Sequence, residues 1–498
     1  MNKLLAIVFV VSLVFILYHP ALKTFFSQDD FFHFRVSQTD GTLGGFLSLF
    51  GFHSFEERKI AFYRPITREL PFNLSYAFFG LNPAPLRILS FLLLFANTYM
   101  VYLLIAKLFK NKTIGFFTSL FFATTSNTAA LYYLAGGIQT IGATFFILLT
   151  LLLFDRYLET GNKKIKVLSF FTFLLALGSE EQSVILPVLL AGLIFIQSSF
   201  KESIKKSLLE LWPHILVVCV FTWADINLIG FSKEETQYHF DFSIKKLANT
   251  FSWYLVWAFG LPEMLIDFVL PGLKLNPSLM RYWPHFYKPI FLSFFISAAV
   301  LIAATIYSGS KNIFKSRILW LLIVWFTTGL VPVLFLPQHK STHYLQPVLP
   351  AFWGAIIFLT FSAYENLKSK APKLSALLAG FFAGGILSLS FFSSLAGKEL
   401  YWAASRGRLA KKLISDISYE FPKLPQGAVL YIQNDPSYPF VAKDWGGTSK
   451  QAAFVLNNVD GLRLYYKDPS LKVYYQDTIP PTEVIPESAY TVVAKIDW

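Results

Sequence analysis

The chain has 498 residues, of which 54% are hydrophobic and only 15% charged, and its mean hydropathy is +0.51. Apolar surface on that scale needs lipid to cover it, which excludes a soluble globular protein. The net charge of +13 is no nucleic-acid signal, because the lysines and arginines fall in short clusters between apolar segments, the pattern that keeps loops on the cytoplasmic side of a membrane.

Residues 1–22 join Lys3 to a short apolar run, and YHPALKTFF offers no small-residue cleavage site, so a retained first span over 4–22 is expected rather than a removed signal. Further segments near the required length of about twenty apolar residues lie at 86–106, 114–134, 138–154, 167–178, 184–196, 211–229, 251–270, 289–307, 318–336, 347–361 and 374–395. Cys219, the single cysteine, sits in one of them and rules out an internal disulfide or a cysteine-based metal site. With the N-terminus inside, the clusters Lys107/Lys110/Lys112, Arg156/Lys163/Lys164/Lys166 and Lys201/Lys205/Lys206 alternate correctly. The later clusters Lys311/Lys315/Arg317 and Lys368/Lys370/Lys373 join them only if one segment between 229 and 289 does not cross. Segment 251–270 is the weakest: it carries Glu263 and Asp267, is broken at Gly260-Leu261-Pro262, and is rich in Trp and Tyr. Those are marks of an interfacial or re-entrant piece. Eleven spans are therefore expected, with the C-terminus outside.

From Lys398 the character changes. RGRLAKKLISDI reads as a helix, and AVLYIQ, LRLYYK, LKVYYQ and AYTVVAKI read as strands separated by Pro, Gly, Asn and Asp. The expected fold is an α-helical polytopic membrane domain over 1–396, with its first outer loop at 23–85, followed by a small extracytoplasmic α/β domain over 397–498.

A carboxylate at the bilayer centre costs about 2.5–3.5 kcal/mol on insertion scales, so acids in membrane proteins collect where water or chemistry wants them. Asp29 and Asp30 stand just past the first span, in SQDDFFHF. The same loop supplies His33, Arg35, Tyr63, Arg64, Arg68 and Glu69; GSEEQS supplies Glu180 and Glu181; PQHKSTHY supplies His339, Lys340, His343 and Tyr344. The eleven-span topology puts all of them on the outer face. A carboxylate can take a proton from an acceptor hydroxyl, cations can hold a departing phosphate, and aromatics can stack on sugar rings. Each feature also has a plainer reading. Arg64 and Arg68 after Pro65 fit a solvated helix face, Asp29 and His33 a surface pair, and Glu180-Glu181 the water boundary. The aspartates of the tail, Asp435, Asp444 and Asp460, sit in turns where Asp is common. His339 and His343 have metal-like spacing but no third ligand. No P-loop, zinc-ligand spacing or GxSxG is present in the sequence.

These residues resemble the C-type glycosyltransferase superfamily, polytopic enzymes that use polyprenyl-phosphate sugars, and in particular the branch of transmembrane O-mannosyltransferases. Asp29-Asp30 matches the acidic motif of the first outer loop. Tyr63-Arg64-Pro65-Ile66 is similar to a Tyr-Arg-Pro-Leu element, and Phe79-Gly80-Leu81-Asn82-Pro83 fits the same branch. Ser179-Glu180-Glu181 with Leu186-Pro187 resembles a Ser-Lys-Glu…Leu-Pro element, with Glu180 standing where lysine is usual. His343-Tyr344-Leu345 sits where Arg-Tyr-Leu precedes a span. The resemblance implies a multi-pass enzyme of the cell (inner) membrane with its site outside the cytoplasm. It would move a sugar from a polyprenyl-phosphate donor to a glycan, lipid or protein hydroxyl, inverting the anomeric centre, with Asp29 as base. Arg64, Arg68 and Lys340 would serve the donor phosphate. No motif demands a cofactor, and a divalent cation beside the acids stays an open option. The alternative class is a transporter or flippase of a lipid-linked glycan, for which charged groups near the midplane and two related halves would be expected; Asp225 is the main such charge, and the halves show no similarity.

Overall fold

The computed structural model describes residues 3–230, 238–307, 314–438, 446–480 and 482–496. Lys311 and Asp444 lie outside them. Most of the chain is helical, and seven helices among the described residues are long and apolar enough to cross a membrane, over Leu5–Lys23, Ala84–Leu108, Leu134–Thr160, Phe200–Ile229, Pro284–Tyr307, Arg317–Leu334 and Pro372–Glu420. Four shorter or less apolar helices run between the same two ends of the bundle: Lys112–Thr124, Lys163–Leu177, Leu186–Gln197 and Leu349–Lys368. Lys112–Thr124 is mostly buried, whereas Lys163–Leu177 leaves Val167, Leu168 and Phe171 exposed.

Segment 251–270 is not a regular span. A helix over Ile244–Ala258 ends at Gly260, whose positive φ of 116° suits glycine. A 3-10 turn over Glu263–Phe268 and a two-residue hairpin strand pair, Val269–Leu270 with Lys274–Leu275, follow.

The basic end is closed by short, well-capped turns. Asn111 accepts from the amides of Thr113 and Ile114, Asn162 from that of Lys164, and Ser199 with Glu202 forms a capping box. Lys107 bridges Asp155 at 2.5 Å and Glu159 at 2.7 Å, and Lys166 bridges Glu210 at 2.5 Å. At the opposite end the Tyr18 hydroxyl donates to the Thr124 carbonyl at 2.7 Å, and the buried Arg87 guanidinium donates to the carbonyls of Thr24, Leu131 and Tyr132.

The tail forms a three-stranded parallel sheet, with Val429–Asn434 between Lys472–Tyr475 and Tyr490–Ala494. Helices Trp402–Glu420, Thr448–Val455 and Asp460–Tyr466 accompany it. LRLYYK, expected as a strand, lies in the last of these helices. Its Leu462 and Leu464 are both buried, so its alternation fits either element, and packing decides. The core of this unit is continuous with the membrane part: Phe26, Phe31, Phe34 and Phe72 share one apolar cluster with Leu413, Leu430 and Leu462.

Candidate active site

Asp29 and Asp30 open a short helix, Asp29–Val36, where acids are favoured by the unpaired amides and the helix dipole. Their environments differ. Asp30 is 2% exposed, and its two oxygens are taken by main-chain amides, Ser27 at 3.0 Å and Ala135 at 2.8 Å. Burial pushes it up to about 6, against the Arg87 charge and those two amides. Asp30 thus pins its own helix to the start of the long helix Leu134–Thr160. Asp29 keeps an accessible carboxylate that accepts one hydrogen bond, from the Tyr133 hydroxyl at 2.6 Å. Protein surrounds it closely enough that desolvation still raises its pKa, opposed by the Tyr133 hydrogen bond and the Arg406 charge.

The first turns of Leu134–Thr160 act as a spine. Tyr133 holds Asp29, and its ring packs against His343 (centroids 5.6 Å apart) and Trp402 (4.9 Å). Gly136 lies against His343; a Cβ there would come within 3.1 Å of the imidazole Nε2. Gln139 accepts from Arg64 and meets His33 Nδ1 at 3.5 Å. These positions recur every three residues and so share one helix face.

Tyr63-Arg64-Pro65-Ile66 and Ser179-Glu180-Glu181 meet in space. Pro65–Glu69 forms a π turn, an element common at functional sites. It docks through the Ile66 amide on the Gly178 carbonyl (3.0 Å) and the Thr67 hydroxyl on the Ser179 carbonyl (2.7 Å). Arg64 then forks onto Glu181 at 2.9 and 2.5 Å and reaches Glu180 at 3.0 Å. Glu180 is 1% exposed, and burial holds it well above the ordinary carboxylate range, with Arg64 opposing and Glu181 adding to the shift. The Tyr63 amide donates to Asp225 at 3.2 Å and its hydroxyl to the Phe50 carbonyl at 2.8 Å. Asp225 therefore belongs to the site end of its helix and not to the midplane.

Arg68 is 3% exposed and is spent on the carbonyls of Ala61 and Phe62 and on Glu69 at 2.8 Å. Arg35 bridges Asp460 of the tail at 2.8 Å. Lys340 reaches the Asn249 side chain at 3.3 Å, and partial burial lowers its pKa. His339 meets the Tyr344 hydroxyl at 2.8 Å, with burial pushing it down to about 4. His33 and His343 are likewise held well below the ordinary histidine value, first by burial and then by neighbouring charge. Among the described residues no group of three or more His, Cys, Asp or Glu is placed to hold a metal ion.

Sequence reasoning missed five contributors. Tyr133 and Gln139 lie at the edge of an apolar span, where the Gly136-Gly137 pair was the available signal of close approach. Trp402 and Arg406 belong to the tail helix, and Arg406 bonds the Gln28 side chain at 2.5 Å beside the acids. Glu263, from the piece that does not cross, accepts from the Ser341 hydroxyl at 2.9 Å and from both the amide and the hydroxyl of Thr342. Ser341 in turn meets His343 Nδ1 at 2.8 Å.

Fold and site together define a multi-pass membrane protein with a recessed carboxylate site at one end of its helices. Residues 64–224 match the family model described as dolichyl-phosphate-mannose-protein mannosyltransferase, one of the C-type glycosyltransferase families. That similarity supports, in general terms, a membrane glycosyltransferase that uses a polyprenyl-phosphate sugar. The matched stretch contains Arg64, Gln139 and the Glu180-Glu181 pair, and begins after Asp29-Asp30. No curated protein matches the chain.

Proposed function

We propose that the protein transfers a glycosyl unit from a polyprenyl-phosphate sugar to an acceptor hydroxyl outside the cytoplasm, in one inverting displacement with Asp29 as general base. The observation that carries this reading is the inequality of the two acids. Asp30 is nearly inaccessible and each of its oxygens is committed to a main-chain amide, whereas Asp29 is accessible and held in one orientation by Tyr133. In the displacement, Asp29 takes the acceptor proton and the acceptor oxygen attacks the anomeric carbon. The bond from that carbon to the phosphate oxygen breaks on the opposite side, and polyprenyl phosphate leaves with the electron pair.

The site's commitments refine the earlier expectation for the phosphate. Arg64 is engaged by two carboxylates and Arg68 by carbonyls and Glu69. Of those three cations, Lys340, which donates to the neutral Asn249 amide, is the one best fitted to meet an incoming phosphate. An apolar groove of about 400 Å³ runs between helices Lys163–Leu177 and Phe200–Ala224. Leu174, Val217 and Phe221 line it, and Tyr63 and Gly178 close it at the site end. Its chemistry suits the prenyl chain. The acceptor would approach Asp29 past Tyr133 and Trp402.

The test is sugar transfer from a supplied radiolabelled polyprenyl-phosphate sugar in membranes. Asp29→Asn is expected to lower turnover by about 10²- to 10⁴-fold with donor binding little changed. Full activity in Asp29→Asn would remove Asp29 as the base.

A further inference from the structure

At the end of the bundle remote from the acids lies a cavity of about 590 Å³, within the range of sites that hold small molecules. Helices Lys112–Thr124, Pro284–Tyr307, Leu349–Lys368 and Pro372–Leu400 enclose it. The helix Leu349–Lys368 begins beside the candidate active site and ends at this cavity. Its 20 residues span about 30 Å at 1.5 Å per residue, so the two sites are roughly a hydrocarbon thickness apart. The cavity is polar at one end and apolar at the other. Thr113, Tyr364, Glu365 and Lys368 stand at the mouth, and Phe121 and Phe382, in edge contact at 6.1 Å, form the floor.

We propose that this cavity binds a phospholipid with a net-negative headgroup, its acyl chain between the helices and its phosphate at Lys368. Three observations select this occupant. The walls are apolar, and the flanking surface of the same helices, including Leu377 and Phe381, is exposed as a lipid-facing surface must be. The mouth lies at the basic end of the bundle: Lys112, Lys370 and Lys373, all exposed, stand next or next but one to mouth and wall positions. Lys368 itself is exposed and rests on the Tyr364 ring at 5.5 Å, which holds its ammonium at the rim. Basic pockets between membrane helices are a recognised setting for anionic headgroups. Glu365 opposes the field but is outnumbered by the lysines around it. The site is independent of sugar transfer, since no residue of it touches the acidic helix.

The full-length protein, released from nanodiscs with equal phosphatidylglycerol and phosphatidylcholine, would be examined by native mass spectrometry. Retention of phosphatidylglycerol over phosphatidylcholine is expected, by about fivefold for each basic side chain engaged. Lys368→Glu, at an exposed position, should keep bound lipid but lose most of the preference. Ala379→Phe, which fills the cavity wall, should lower retention of both lipids. Asp29→Asn should leave the preference as in the wild type. Equal retention of the two lipids by the wild type would overturn the proposal, as would a preference that survives Lys368→Glu or retention unchanged by Ala379→Phe. A thermal-unfolding midpoint measured on each variant separates lost binding from lost fold.

Discussion

The acidic pair illustrates how two identical side chains acquire different work from their surroundings. Asp30 accepts from two peptide amides and is nearly inaccessible, so its removal belongs to stability. Asp30→Asn puts an amide N–H₂ where only acceptors fit, setting donor against donor. A loss of about 1–3 kcal/mol is expected, read as a lower midpoint in denaturant, while Asp29→Asn should unfold close to wild type. An equal midpoint for Asp30→Asn would show that those amides have other partners. Tyr133 gives a second residue-scale prediction. Its hydroxyl stabilises the charged form of Asp29, so Tyr133→Phe should push the Asp29 pKa further up. The acid limb of kcat/KM, set by an Asp29 that burial raises, should move to higher pH, with turnover recovering as pH rises. An unshifted limb would mean that Tyr133 only fills space.

At the scale of elements, the site depends on a junction between a loop and a helix end. The π turn Pro65–Glu69 docks on Gly178 and Ser179 and brings Arg64 to Glu180 and Glu181. Three carboxylates, counting Asp225, face that region with Arg64 as their main counter-charge, and burial with the Glu181 charge raises the pKa of Glu180. Its folded pKa lies above its unfolded value of about 4.3. The folded chain therefore holds a proton that the unfolded chain releases, and the stabilisation this gives is complete below that value and lost as pH rises through the folded pKa. The Glu180 contribution to the thermal midpoint should fall as pH rises from about 5 toward 8, against the opposite trend of the buried His33, His339 and His343, whose lowered pKa values add stability as pH rises toward about 6.5. The difference in midpoint between wild type and Glu180→Gln should therefore shrink over that range, while the parts due to Asp29, Asp30 and the histidines are common to both proteins. A wild-type slope unchanged in Glu180→Gln would place the proton elsewhere. The sequence made the components of this junction visible through residue type, loop position and resemblance. It could not show that Arg64 and Glu181, 117 positions apart, close on each other. Nor could it show that Arg68, so similar on paper, is buried among carbonyls. The spine of Tyr133, Gly136 and Gln139 stayed hidden because an apolar span masks the polar residues at its edge.

For the whole molecule, apolar length gave the helical class directly, and the basic clusters marked one end of the bundle. Span counting was harder because helices such as Lys163–Leu177 and Leu186–Gln197, of 15 and 12 residues, are shorter than a regular span. The boundary between membrane part and tail was the least legible feature, since a change of composition at Lys398 suggests a separable domain while the contacts join the two. The Gln28 amide donates to the Val455 carbonyl at 2.9 Å, the Tyr76 hydroxyl to the Leu464 carbonyl at 2.8 Å, and Arg35 bridges Asp460. Phe26, Phe31 and Phe34, which flank the two acids, complete their burial in the tail's own core. Removing residues 396–498 would expose that aromatic face and leave Arg35 without its carboxylate. It would also take Trp402 and Arg406 from the surroundings of Asp29. Exposing a fully buried Phe costs about 1.5–3 kcal/mol, and three together are comparable with the whole stability of a domain. The truncated chain is therefore expected to lose order in Asp29–Val36 and to lose transfer to every acceptor, simple alcohols included. A tail that only selected acceptors would spare the simple ones. Hydrogen exchange over residues 25–36 in the truncated and intact proteins reads the difference directly: equal protection would show that the acidic helix stands without the tail.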